Sequence, residues 1–145
     1  MDAFDADALI YAAAPGHPLG ARVAALFPSG PMTDVSRVGV GSTFLLPEVL
    51  GKPVREAASA EITALAWFLG RLDLRPLDIA TAELAVALVA SYRLHAADAV
   101  HLATAVQAGA DRFLTNNSRD FSKDVAEVAV TYLQDLPDKR WPPHS

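Results

Sequence analysis

Apolar residues recur along this chain in short bursts separated by turn-formers, and their spacing switches between strand-like and helix-like. Met1 to Asp7 is half-apolar and leads into the burst Ala8-Leu9-Ile10-Tyr11. This predicts a strand ending near Asp5 that enters a short helix or turn, with Ala12 to Gly20 rich in turn residues. Ala21 to Phe27 places Val23, Leu26 and Phe27 on one helical face, and Pro28-Ser29-Gly30-Pro31 stops it. Val35 to Val40 predicts a short strand weakened by its glycines. Thr43 to Leu50 reads as a helix start. Pro53 to Leu69 reads as the next helix, with Pro53 in its first turn and Ile62, Leu65, Ala66 and Leu69 sharing a face.

The second half repeats the alternation. Leu72-Asp73-Leu74 is strand-like. Asp78 predicts an N-cap for a helix through Ser91, apolar nearly all round and therefore expected to be largely buried. His95 to Ala108 is an alanine-rich helix stopped by Gly109. Arg112 to Leu114 predicts a buried strand, Thr115 to Phe121 a polar loop, and Val125 to Leu133 a last strand. Residues 134–145 read as a loose tail that Trp141 would anchor, after one domain over 1–133. Short strands alternating with longer helices predict an α/β fold with a central parallel sheet covered on both faces. Ligands then bind beyond the carboxyl ends of the strands.

Composition narrows the function classes. The 145 residues are 52% hydrophobic and 20% charged, enough to bury a core. The longest uncharged stretch, Ala8 to Ala21, is too short and too proline-broken to span a bilayer. No basic segment followed by an apolar run opens the chain, so a cytoplasmic domain without a secretory signal is expected. The absence of cysteine excludes disulfide scaffolds, cysteine-based zinc sites and thiol enzymes. The net charge of -5 counts mildly against a polyanion partner, although a bound cation reverses the local sign.

Acidic residues cluster just after predicted strands. Asp5 and Asp7 follow the first, Asp98 opens the helix that ends at Ala108, and Asn116, Asn117 and Asp120 follow the strand ending at Leu114. Glu48 sits inside Leu45-Leu46-Pro47-Glu48-Val49-Leu50, where an unpaired carboxylate is costly. Carboxylates converging on one crevice repel each other, and a divalent cation removes that cost. Mg²⁺ and Mn²⁺ prefer such oxygen ligands and can activate water against a phosphodiester. Taken singly, each aspartate is equally at home as a turn or cap residue.

Phe4-Asp5-Ala6-Asp7-Ala8-Leu9-Ile10-Tyr11-Ala12, Leu46-Pro47-Glu48-Val49-Leu50-Gly51, Ala96 to Ala105, and the run from Gly109 through Thr115-Asn116-Asn117 to Asp120-Phe121 resemble, in this order, the PIN-domain family and its VapC-like toxins. The resemblance implies a Rossmann-like α/β/α sandwich and a Mg²⁺- or Mn²⁺-dependent endoribonuclease. Asp5 and Asp98 match the family's metal-binding aspartates, Glu48 its glutamate, and Thr115 the threonine that orients ligands or water. Where many members carry a fourth acid, this chain has Asn117. Three alternatives stay open: Asp120 replaces it, Asn117 binds through its amide oxygen, or three acids suffice. The resemblance also implies a homodimer and an antitoxin partner that brings a basic side chain to the acidic site.

Other residues carry weaker chemistry. His101, one turn after Asp98, reads as packed or capping rather than as a ligand, and His17, His95 and His144 show no partner at metal-ligand spacing. Arg37, Lys52, Arg55, Arg93, Arg112, Arg119 and Lys123 are the candidate RNA-backbone contacts, with Tyr11 near the site as a stacking residue. Asp5-Ala6-Asp7 also resembles the nucleophile motif of haloacid-dehalogenase-like phosphatases, but lysines and a late acidic pair are poorly supplied. A PIN-like interaction module without catalysis is the reading from another class.

Overall fold

The computed structural model describes residues 1–29 and 37–138. Five strands form one parallel sheet: β1 (Asp2–Phe4), β2 (Gly39–Ser42), β3 (Leu72–Arg75), β4 (Arg112–Thr115) and β5 (Ala129–Tyr132), in the spatial order β3-β2-β1-β4-β5. Parallel neighbours need crossover connections, and six helices supply them: α1 (Ala6–Ala13), α2 (Pro18–Ala24), α3 (Leu45–Arg55), α4 (Ser59–Leu69), α5 (Ile79–Tyr92) and α6 (Ala96–Gln107). The strand order reverses between β1 and β4, which opens a crevice at their carboxyl ends.

Neighbouring strand residues point to opposite cores. Ala3 and Phe113 join Leu88, Leu102 and Val130 under α5 and α6, whereas Phe4 and Leu114 join Leu9, Phe27, Leu45 and Leu65 under α1 to α4. At the amino ends of the strands, Arg112 makes a bidentate pair with Asp2 at 2.9 Å for both bonds. That places Arg112 at the far end of the sheet from the crevice and removes it from the candidate RNA contacts.

Several expected boundaries move. The second helix begins at Pro18 rather than Ala21, because His17 caps it through a bond from the Gly20 N–H to Nδ1 (3.2 Å) and proline suits the first turn. Pro53 does not open a helix. It lies buried in the last turn of α3, and the break comes at Ala57, with φ of 52°, before α4 starts at Ser59. The strand expected over Val35 to Val40 is found at Gly39–Ser42, with residues 35 and 36 outside the described residues. The last strand is shorter than expected, and Val125 and Val128 pack from the loop before it.

Helix α5 is capped by Asp78 as expected, through a 2.8 Å bond from the Thr81 N–H, but it is not largely buried. It lies on α6 rather than on the sheet, so only Thr81, Ala85 and Leu88 are covered, while Ile79 and Val86 are 77% and 70% exposed. After β5 the chain stays attached through Leu133 and Leu136, both buried, and through Arg22, which donates to the carbonyls of Gln134 (2.7 Å) and Leu136 (3.1 Å). The expected anchor Trp141 lies outside the described residues.

Helices α1 and α2 meet backbone to backbone at Gly20, where a Cβ would fall 1.8 Å from the Tyr11 carbonyl oxygen. Gly20→Ala is expected to lower stability by about 2 kcal/mol or more, since neither backbone can yield without separating the helices. Gly51→Ala, where a Cβ meets nothing within 4 Å on exposed α3, is expected to raise stability by about 0.5–1 kcal/mol. Urea midpoints of the two variants check both signs.

Candidate functional site

The crevice is built from the ends of β1 and β4. Asp5 follows β1 directly, in extended backbone, and its carboxylate caps α1 by accepting the Ala6 N–H at 2.9 Å. Its own N–H donates to the Leu114 carbonyl (2.9 Å), so the sheet pairing carries it into the site. Thr115, the last residue of β4, is fully buried and donates its hydroxyl to Asp5 Oδ2 at 2.7 Å. The Asn117 N–H in turn donates to the Thr115 Oγ1 at 3.0 Å. Asp5 is thus held at both oxygens while 5% exposed.

The loop after β4 arranges the next acids. Asp7, in the first turn of α1, accepts the Asn116 N–H with both oxygens, at 3.1 and 3.2 Å. The Asn116 amide donates to the Tyr11 hydroxyl (3.4 Å), and the Tyr11 ring stacks on His17 with centroids 4.2 Å apart. Asn117 donates its amide to Asp120 Oδ2 (2.8 Å) and accepts the Asp120 N–H (3.2 Å). Both ends of the Asn117 amide are therefore engaged with Asp120. The ligand atoms of Asp98, Asp120 and His95 all lie within 4.8 Å of one another. Glu48, in the first turn of α3, meets Nε2 of His101 on α6.

These carboxylates act on one another. Burial pushes Asp5 above the ordinary carboxylate range, against the lowering effect of the Thr115 hydroxyl, and Glu48 adds repulsion. Burial and then the Asp5 charge push Asp7 up to about 7, with a further contribution from Asp98. Burial, followed by the charges of Asp5, Asp120 and Glu48, raises Asp98. Asp5, Asp7, Glu48, Asp98 and Asp120 thus share one electrostatic site. Among the described residues, His95, Asp98 and Asp120 are the group whose ligand atoms lie close enough to share one divalent cation, and Asp5, Asp7 and Glu48 act on that group through charge.

Of the residues singled out from the motifs, Asp5, Thr115, Asn117 and Asp120 form one hydrogen-bonded chain, Asp98 lies at ligand distance from Asp120, and Glu48 interacts with Asp5 and Asp98 through charge. Asp7 joins them. His95, read as having no partner at ligand spacing, stands beside Asp98 and Asp120 as the residue before α6. Its signal was the three-residue spacing to Asp98 across a helix start. His101 is buried and packed as expected, but it also contacts Glu48, a pairing across 53 positions that no local pattern announces. Of the candidate RNA contacts, Lys123 is bonded to Asp135 at 2.6 Å, whereas Arg119 is 90% exposed, with Nε 3.9 Å from Asp120.

Comparison with known proteins follows the same line. The PIN domain family matches residues 4–127, most of the chain. No curated protein matches the sequence. Among solved structures, a toxin–antitoxin complex from Klebsiella pneumoniae is similar in fold, with a TM-score of 0.68 at 22% identity, covering 92% of this chain and 98% of that one. No described helix is long and apolar enough to cross a membrane.

Proposed function

The chain belongs to the PIN-domain family, whose members are generally nucleases, and from that premise we propose that it is a Mg²⁺- or Mn²⁺-dependent endoribonuclease, the toxin of a toxin–antitoxin pair. Membership sets aside the phosphatase reading. The observation that carries the proposal is the close grouping of Asp98, Asp120 and His95 beside Asp5 and Glu48, whose charges act on Asp98. In this reading those four acids hold the cation, and His95 stands beside Asp98 and Asp120 as a further donor. When bound, the ion supplies charge stabilisation and an activated water for phosphodiester hydrolysis.

The chain's own residues prepare that chemistry. Thr115 and the Ala6 N–H fix the plane of the Asp5 carboxylate. Asn117 braces Asp120 instead of ligating, so Asp120 takes the place of the fourth acid. Arg119, exposed beside Asp120, is placed to meet an RNA phosphate. The same acidic crevice suits a basic side chain from an antitoxin, which would block the site by charge pairing. The apolar surface of Leu77, Ile79 and Val86 supports pairing of two copies. In this reading the toxin acts in the cytoplasm, where its RNA substrate is found.

The test is incubation of the purified protein, freed of any bound partner, with total RNA in Mg²⁺ and in Mn²⁺, beside an EDTA control and Asp98→Asn. Discrete fragments that require both metal and Asp98 are expected. Cleavage unaffected by EDTA or by the substitution overturns the mechanism. Absence of both cleavage and Mn²⁺ binding makes the chain a non-catalytic PIN module.

A further inference from the structure

His101 is the most deeply buried ionisable side chain beside the acidic crevice that has no role in the reading above. It is 2% exposed, on α6 one turn beyond Asp98. The Phe44 ring tilts against it with centroids 5.8 Å apart. Nε2 meets Glu48 Oε1, while Nδ1 is buried and has no hydrogen-bond partner among the described residues. An N–H at Nδ1 would lie buried without an acceptor. The geometry therefore puts the hydrogen on Nε2, where it donates to the carboxylate.

A leucine would fill this place in α6 without orphaning a nitrogen, so packing alone does not account for an imidazole here. Glu48 does account for it. Its side chain is one third exposed and projects from a different helix, with three torsions to restrain, and His101 is its only hydrogen-bond partner among the described residues. That partner engages Oε1 and leaves Oε2 unpaired. Ligating carboxylates are commonly held in this way, by a second group that fixes their orientation.

We infer that His101 is a positioning residue: it holds Glu48 through Oε1 so that Oε2 is presented to the cation. His101 is not itself a ligand, since one nitrogen is spent on Glu48 and the other is buried in the protein. The inference rests on the metal-dependent reading above. It goes further by assigning the cation's affinity in part to a side chain that does not touch it.

The experiment measures Mn²⁺ affinity by the loss of the free-ion electron paramagnetic resonance signal, in wild type, His101→Gln and His101→Asn, with thermal midpoints to verify the fold. A glutamine amide can reach Glu48, and an asparagine amide is too short. Mn²⁺ binding about tenfold weaker in His101→Asn is expected, within the range for lost supporting groups. His101→Gln should bind within about threefold of wild type. In a Glu48→Gln background, whose affinity is already lowered, His101→Asn should add no further loss. Equal affinity of wild type and His101→Asn overturns the inference and leaves the metal site standing. So does a loss that persists in the Glu48→Gln background, which marks a purely structural role. Failure of wild type itself to bind Mn²⁺ overturns the metal-dependent reading and the inference with it.

Discussion

Asp5→Asn is expected to reduce metal-dependent RNA cleavage by about a thousandfold or more, while leaving the metal-free protein as stable as wild type or more so. In the metal-dependent reading proposed above, the activity loss follows from removing a buried charge that would help hold the cation. A bound ion contributes several kcal/mol of transition-state charge stabilisation, and each ~1.4 kcal/mol is tenfold in rate. The stability result follows from the same geometry with the opposite sign. Asparagine matches the shape, and its oxygen still accepts the Ala6 N–H. Its amide then donates to Thr115 Oγ1, which still accepts the Asn117 N–H, and the Thr115 hydroxyl hydrogen that loses its acceptor costs less than the buried charge that is removed. What disappears is a carboxylate that burial and Glu48 both disfavour. Single-turnover cleavage and urea melts in EDTA check both halves. Cleavage within tenfold of wild type would remove Asp5 from the metal site, and a large stability loss would make it structural.

The metal-free protein is also expected to lose stability as the pH rises from about 4 to about 8. Asp7 contributes a share that can be sized. Its pKa is raised from 3.8 to about 7 in the folded state. Between those values the folded protein keeps a proton that the unfolded chain has released, so stability falls with increasing pH, and the loss is complete above about 7. A shift of roughly three units sets a ceiling of about 4 kcal/mol, and the crevice is open enough to water that about 2 kcal/mol is the expected change. Asp5 and Asp98 are raised as well and act in the same direction. Mn²⁺ should flatten this slope by taking up the negative charge, raising the midpoint more at pH 8 than at pH 5. Asp7→Asn should flatten it without metal, since the asparagine oxygen still accepts the Asn116 N–H. Urea midpoints at the two pH values, with EDTA and with Mn²⁺, decide. Stability that rises with pH in EDTA would mean that these carboxylates are not confined together.

Both predictions depend on residues that local pattern made visible and on contacts that it did not. Acids just after strands, a capping Asp78 before an apolar run and the alternation of Ala3 with Phe4 are written into a few adjacent positions, because caps and periodicities are local properties of the backbone. From them came the α/β fold, the crevice side of the sheet and the motif acids. Pro53 misled the same local reading. Proline is acceptable both in a first helical turn and near a helix end, and only the left-handed turn at Ala57 decides between them.

The rest belongs to the tertiary structure. Whether α5 lies on the sheet or on α6 depends on which surface the sheet has left uncovered, so a helix apolar nearly all round ended with Ile79 and Val86 in solvent. Asn117 and Asp120 were alternatives in sequence, and only the folded loop shows them hydrogen-bonded to each other. His95 entered the acidic cluster, and His101 found Glu48, because the order β2-β1-β4 brings α3, α6 and the loop after β4 to the same strand ends. By itself the sequence determined which residues could ionise, cap and coordinate. Only chain folding, which joins positions more than fifty residues apart, decided which of them share charge, which are held in place, and which hold the others.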